Sequence, residues 1–246
     1  MIIILIIIIY LGYERRMQQR IDNKVNDLDD KFKSVGNTIN DLDDKFESMN
    51  NKLNNITNKL ETINNKIYSV ESFLVIYSLI SNNQYYNIFE DLMNEGIKKC
   101  FGKKIKKYNL LYLASRDGYD AKDFHKKCDG KSFTVTLVIT KENKIFGGFT
   151  ELEWDQSGKS KEGSKGFIFS ITNNKIYYNI NHYFIDNKNL YGPSFDNWGF
   201  YIKSNYGYDE TKNYGSSFDV SGEEYVLAGE LKFLIKDYAV YQTEME

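Results

Sequence analysis

Cysteine and histidine are scarce in this chain, with two of each among 246 residues. Cys100 and Cys128 are too few for a disulfide-dense scaffold and suit a reducing compartment, so a cytoplasmic location is expected, with membrane association as the open addition. Zinc sites announce themselves through paired, closely spaced ligands. No such pairing occurs among His125, His182 and the two cysteines, and no metal or other cofactor is expected. Charge of one sign is not in excess: 32 basic side chains against 34 acidic ones leave a formal −2, which gives no electrostatic reason for nucleic acid as the partner. Gly147-Gly148 lacks the Lys-Ser or Lys-Thr that would make a phosphate-binding loop. No regular strand-helix alternation supports a doubly wound parallel sheet.

What is present begins with "MIIILIIIIYLGY", followed by Glu14, Arg15 and Arg16. As a helix, residues 1–13 reach about 20 Å against roughly 30 Å of bilayer hydrocarbon, which disfavours a full span. A basic leader and a small-residue cleavage site, the marks of a secretory signal, are not evident. Three readings stay open: a membrane-inserting or signal-like segment, a short buried or self-associating segment, and a misassigned start. In water such a run is a β-aggregation hazard, so something should cover it.

Across residues 14–77 the apolar positions alternate by four and three: Ile21, Val25, Leu28, Phe32, Val35, Ile39, Leu42, Phe46, Met49, Leu53, Ile56, Leu60, Ile63, Ile67, Val70, Leu74 and Tyr77. This is the seam of a left-handed coiled coil, roughly 85 Å long. With Val25 at a, lysine fills g at Lys24, Lys31, Lys45, Lys52, Lys59 and Lys66, and Asp22, Asp29, Asp43 and Glu71 stand at e. In a parallel pair Lys24 would meet Asp29 and Lys66 would meet Glu71 across the seam, so parallel self-association is expected, a dimer first and a trimer second. "NDLDDKF" recurs at residues 26–32 and 40–46, two heptads apart. The alternatives are a helix folded back on the globular part and a single solvated helix; the length of the apolar stripe argues against leaving it bare. Gly36, off the seam at e, costs up to about 1 kcal/mol of helix propensity.

From residue 78 the texture changes. One or two shorter helices are expected before Tyr108, with Gly96 as a stop, and Lys98, Lys99, Lys103, Lys104, Lys106 and Lys107 form a basic run that reads first as a solvated face. Beyond it, "TVTLVI", "KIFGGFT", "GFIFSI" and "KIYYNI" are β-branched or aromatic segments parted by turns such as Lys141-Glu142-Asn143 and Thr172-Asn173-Asn174, and "EYVLAGE", "LKFLI" and "YAVYQTE" continue the pattern. The expected fold class is α+β: an antiparallel two-sheet β-sandwich with flanking helices. In "LLYLASRDGYDAKDFHKKCDG", Leu110 to Ala114 reads as a strand and Ser115 to Tyr119 as a connection. Asp120 is placed to cap a helix that has Asp123 in its first turn, basic residues near its end and Gly130 at its C-terminal turn.

Those words, taken in order with "TLVITKENKIFGGFTELEW", "GFIFSI", "YGPSFDNWG", "NYGSSFD" and "YVLAGELKFLIKDYAVYQTE", resemble a TLDc domain over approximately residues 78–246. The resemblance implies a β-sandwich core closed by the final segment. It also implies an association with protection against oxidative stress and, in several members, with binding and regulating the vacuolar proton pump, so proton-pump subunits are an expected partner. No catalytic residue set is established for the family, and none is carried over. The wording departs from the family at Glu151, where many relatives have a small residue, and at Glu230, where serine is common.

Several residues are singled out on their chemistry. Arg116 and Asp117 are expected to fix an internal joint as a charged hydrogen-bonded pair, with Gly118 in the turn. Gly147 and Gly148 are expected at a close strand contact or a bulge. Cys128 reads as packing more readily than as a redox nucleophile, and a Cys128–His125 pair has no orienting third group. Tyr191, Pro193, Phe195, Tyr214 and Phe218 are expected to present aromatics on an exposed interaction edge. Glu151, Glu153 and Asp155 form an acidic run, read as a solvated strand face. The function expected is a non-enzymatic oligomeric interaction module. A peroxide-reactive protein and a structural coiled-coil tether are the alternatives.

Overall fold

A computed structural model describes residues 1–80, 83–163, 165–180, 183–196, 199–203, 209–211 and 218–246, with 68, 69, 183 and 209–211 described at backbone level. The chain forms two compact units, Met1–Ile63 and Asn64–Glu246.

The first unit is helix. α1 spans Ile2–Ile80 without a break, so its final turns belong to the second unit. Gly36 is absorbed in it. The charged flank closes on itself at i,i+4 spacing, through Lys31–Asp27 at 2.6 Å, Lys33–Asp29 at 3.1 Å and Lys45–Asp41 at 2.6 Å. Such exposed pairs contribute a few tenths of a kcal/mol each, about 0.3–0.5. The heptad seam is bare: Val25, Leu28, Phe32, Ile39, Leu42, Phe46, Leu53, Ile56, Leu60, Ile63 and Ile67 are all exposed, Phe32 to 74%. Among the described residues no second helix of the chain lies along it.

The second unit is built around a six-stranded antiparallel sheet. Its strands are β1 (Ile105–Leu113), β2 (Thr134–Thr140), β3 (Ile145–Thr150), β5 (Phe167–Ser170), β6 (Lys175–Tyr178) and β12 (Ile235–Met245), in the order β1-β12-β2-β3-β5-β6. A two-stranded sheet pairs β4 (Ser160–Glu162) with β7 (Tyr183–Asp186). A four-stranded sheet runs β11-β10-β9-β8, from β8 (Tyr191–Phe195), β9 (Phe200–Lys203), β10 (Asp209–Thr211) and β11 (Lys232–Phe233). Three further helices complete it: α2 (Asn83–Phe101), the single turn α3 (Ala114–Asp117) and α4 (Ala121–Cys128).

Alternation along each strand sends one set of side chains to each face of the large sheet. Val135, Leu137, Ile139, Phe149, Phe169 and Tyr241 pack with Ile76, Leu79 and Ile80 of α1 and Phe89, Leu92, Met93 and Ile97 of α2. Val138, Phe146, Ile168, Tyr238 and Val240 pack with Phe195, Phe200, Ile202 and Phe233 of the small sheet and with Phe124 of α4. The large sheet is therefore the middle layer, helices on one face and the second sheet on the other, which is the expected sandwich with flanking helices. The adjacent glycines serve opposite faces. A Cβ on Gly147 would lie 2.0 Å from the Thr136 carbonyl oxygen and 2.7 Å from the Phe169 ring, while one on Gly148 would lie 2.6 Å from the Phe195 ring. Gly148 is thus the slot into which Phe195 of the opposing sheet fits.

Several local expectations are corrected. Gly96 does not stop α2; it is buried where the helix crosses the sheet, and a Cβ there would meet the Phe167 ring at 2.3 Å. Gly102, at φ +69°, ends the helix instead. Lys106 and Lys107 lie within β1, which starts five residues before the expected Leu110. Residues 114–117 coil into α3. "EYVLAGE" is no strand but a run of turns that plugs the core with Val226, Leu227 and Ala228. After Thr150 the chain leaves the sheet, so Glu151 and Glu153 are not on a strand face.

Gly147→Ala should destabilise the second unit by about 1–3 kcal/mol, since a backbone oxygen cannot step aside, and calorimetry should record a Tm lowered by several degrees. Gly36→Ala, with nothing within 4 Å of its Cβ, should leave that transition in place.

Candidate functional site

The joint between β1 and α4 gathers most of the residues singled out on chemistry. Arg116, on α3, donates through Nη1 to Glu71 Oε1 at 2.9 Å and through Nη2 to Asp117 Oδ2 at 2.9 Å, so one guanidinium holds the end of α1 and the turn together. Asp117 also accepts the Leu113 amide at 3.0 Å and lies 3.7 Å from Lys127 Nζ of α4. Burial alone would raise the Asp117 pKa; the hydrogen bonds from Arg116 and Leu113, with the nearby positive charges, outweigh it and hold the carboxyl below its ordinary value. Asp237 on β12 accepts the Ser115 amide at 3.1 Å, and the Tyr119 hydroxyl donates to the Lys236 carbonyl at 3.1 Å. The buried Tyr112 hydroxyl bonds to the Gly118 carbonyl and, at 2.9 Å, to the Tyr238 hydroxyl.

Gly118 stands at φ +112°, and a Cβ there would lie 2.2 Å from Asp123 Oδ2. Asp120 occupies the position before α4, but its side chain makes no capping hydrogen bond and pairs with Lys122 at 3.2 Å. The Asp123 amide bonds instead to the Asp120 carbonyl at 2.9 Å. Gly130 takes φ +75° just past the helix and donates its amide to Trp154 at 3.0 Å.

The last turns of α1 have two faces. On the heptad lettering Ser72, Ile76 and Leu79 fall at f, c and f, and all are buried in the second unit. The buried Ser72 hydroxyl accepts the Leu110 amide at 3.0 Å and so caps part of the edge strand β1. Val70, Leu74 and Tyr77, on the seam, stay 56%, 56% and 39% exposed. Docking on the sheet thus uses mainly the side of the helix away from the seam, with Ile80 at the flanking g position. Glu71, expected to meet Lys66 of a second chain, is held by Arg116 of its own.

Cys128 is fully buried, and burial first, then the negative charges of Asp129 and Asp117, pushes its thiol well above the ordinary cysteine value. Cys100 is half-buried and also raised, mainly by burial. His125, 3% exposed, has Nδ1 2.7 Å from Asp129 Oδ1, and Gln156 donates to Asp129 Oδ2 at 2.8 Å, which ties α4 to the loop after β3. Sequence reasoning missed this link; the i,i+4 spacing of His125 and Asp129 was its only trace. In that loop the Asp155 carboxyl is opposed by burial but held down to about 2 by hydrogen bonds from Lys161, at 2.7 Å, and Ser157. Among the described residues no group of three or more His, Cys, Asp or Glu is placed to hold a metal ion; His182 lies outside them.

Of the expected aromatic edge, Pro193, Phe195 and Phe218 are interior and Tyr191 is half-buried. Phe195 and Phe218 are 0% and 1% exposed, Pro193 is buried, and Tyr191 stacks on Tyr201 at 5.0 Å between centroids. Phe195 is drawn in by the Gly148 slot and by Phe200, at 4.9 Å. Tyr214 lies outside the described residues. Pro193 suits its place: β8 is the last strand of its sheet, where a missing amide costs no ladder bond.

The architecture is that of a helix-backed antiparallel β-sandwich module with a long helix leading into it. The model of the TLDc domain family matches residues 74–244, most of the chain, and the chain belongs to that family. A second model, the N-terminal part of the exocyst complex component Sec10, matches residues 13–94 and overlaps the first at α1 and α2. No curated protein matches the chain.

Arg116→Ala should lower stability by about 1 kcal/mol, less than a buried charged hydrogen bond because the side chain is 41% exposed and screened by solvent. Because Asp117 is held below an unfolded aspartate, its contribution is complete above about pH 4 and is lost as pH falls through the folded-state value. Acid titration of the melting curve should therefore show a shallower loss in Arg116→Ala than in the parent. In the native protein, Cys128 should resist a thiol reagent that labels it readily in denaturant; rapid native labelling, read by peptide mass, would contradict its burial.

Proposed function

We propose that the protein is a non-enzymatic interaction module whose TLDc domain is multiplied by self-association of α1 as a parallel coiled coil, a dimer in the first instance. The observation that carries this is the bare seam. Exposed apolar residues recur every three or four positions from Ile21 to Tyr77, and the domain grips α1 from the opposite side at Ser72, Ile76 and Leu79. Over Ile21 to Ile63 the seam is open to a second helix; near the domain its flanks are engaged, Glu71 by Arg116 and Phe73 by Tyr86. Two linked copies raise the effective concentration of a weak domain contact, which is the physical use of such an arrangement. The buried, poorly ionised Cys128 weighs against the peroxide-reactive alternative.

Membership of the TLDc family supports a place in oxidative-stress resistance or in regulation of the vacuolar proton pump, with pump subunits as the partner. The match of residues 13–94 to part of an exocyst component favours a second reading, a coiled-coil tether in which the helix itself is the working part. Affinity capture with the chain, with and without residues 14–63, separates the two. Recovery of pump subunits that needs the domain supports the first; recovery that needs only the helix supports the second.

Analytical ultracentrifugation of the full chain should give the mass of two chains, falling to one in Ile56→Lys/Ile63→Lys. A seam variant with the parent mass would sink the coiled coil.

A further inference from the structure

Residues 2–20 of α1 follow a different rule from the seam below them. From Ile2 to Leu11 every side chain is apolar or tyrosine, and each is more than half exposed. The seam is a stripe with a polar far side, which suits one neighbouring helix. The upper segment has no polar side at all, and a two-stranded pairing would leave its outer half in water. A helix apolar on all sides needs a medium that surrounds it.

The order of residues along the axis identifies that medium. Ile2 to Ile9 are aliphatic, Tyr10 and Tyr13 follow, and Arg15, Arg16 and Arg20 come next with Glu14 the one acid before Asp22. At 1.5 Å per residue the aliphatic part covers about 12 Å and the tyrosines and arginines roughly the next 17 Å, which is the order of acyl chain, interface and headgroup. Among the described residues none of the three arginines has an acidic partner; Arg16 bonds only to the Gly12 carbonyl at 3.1 Å. Their guanidinium groups are thus available to phosphate, in the paired geometry that arginine favours. No helix of the described residues is long and apolar enough to cross a membrane.

We infer that Ile2 to Leu11 insert into a lipid bilayer, with Tyr10 and Tyr13 at the interface and Arg15, Arg16 and Arg20 on anionic headgroups. The site is a lipid-binding one, and its ligand is an anionic membrane surface. It does not rest on self-association through the seam.

The test is flotation of the full chain with phosphatidylcholine vesicles, with and without phosphatidylserine. The chain should float with the anionic vesicles. Arg15→Gln/Arg16→Gln/Arg20→Gln should lower partitioning by about a hundredfold, at about 1 kcal/mol per basic residue. Ile4→Glu/Ile7→Glu should stay at the bottom of the gradient, whereas Ile56→Lys/Ile63→Lys should still float, which separates lipid binding from the coiled coil. Flotation that survives the Ile→Glu pair overturns insertion, and flotation indifferent to phosphatidylserine or to the arginines overturns the headgroup assignment. A chain that stays off both vesicle types as a protein-only particle shows the isoleucines covered by one another, and that too overturns the inference.

Discussion

A six-stranded sheet with apolar side chains on both faces needs two covers, and this requirement organises the second unit. One cover is the small sheet, keyed in where Phe195 occupies the space that a side chain at Gly148 would fill. The other is helical, α2 with the last turns of α1. The long helix and the sandwich therefore share a core: without Ile76, Leu79 and Ile80, Leu137 and Phe169 would face water.

That shared core also sorts the surfaces of α1. A helix can bury one side against a sheet and offer the other to a neighbour, and heptad spacing keeps the two apart. Ser72, Ile76 and Leu79 turn inward while Val70, Leu74 and Tyr77 turn out. The Arg116 clamp on Glu71 and the Ser72 bond to β1 hold the last turns of α1 with Val70, Leu74 and Tyr77 outward. In the domain, Phe195 and Phe218 are buried where the sheets join.

Much of this was legible in residue order. The period of the apolar positions announced α1, and β-branched and aromatic runs announced β2, β3, β5 and β6, with Asn143 and Asn174 taking positive φ in the turns between them. The joint at Arg116-Asp117 was visible as a charged pair. Its third member, Glu71, was not, since it lies 45 residues away and its heptad position suggested another partner. Gly96 misled because glycine serves equally as a helix stop and as a notch for a ring, and only the neighbour, Phe167, tells which. At the Tyr191 to Phe195 corner, turn-like composition suggests exposure, yet proline and glycine also suit a covered edge strand.

Periodicity and composition are local, so the sequence by itself determined what was periodic: a long helix with an apolar stripe, a wholly apolar start, and an antiparallel sandwich. Facing is relational and was decided only in three dimensions. Which side of α1 meets the sheet, which glycine of the pair receives Phe195, and whether Cys128 meets solvent depend on elements distant in the chain. No spacing within one segment encodes them.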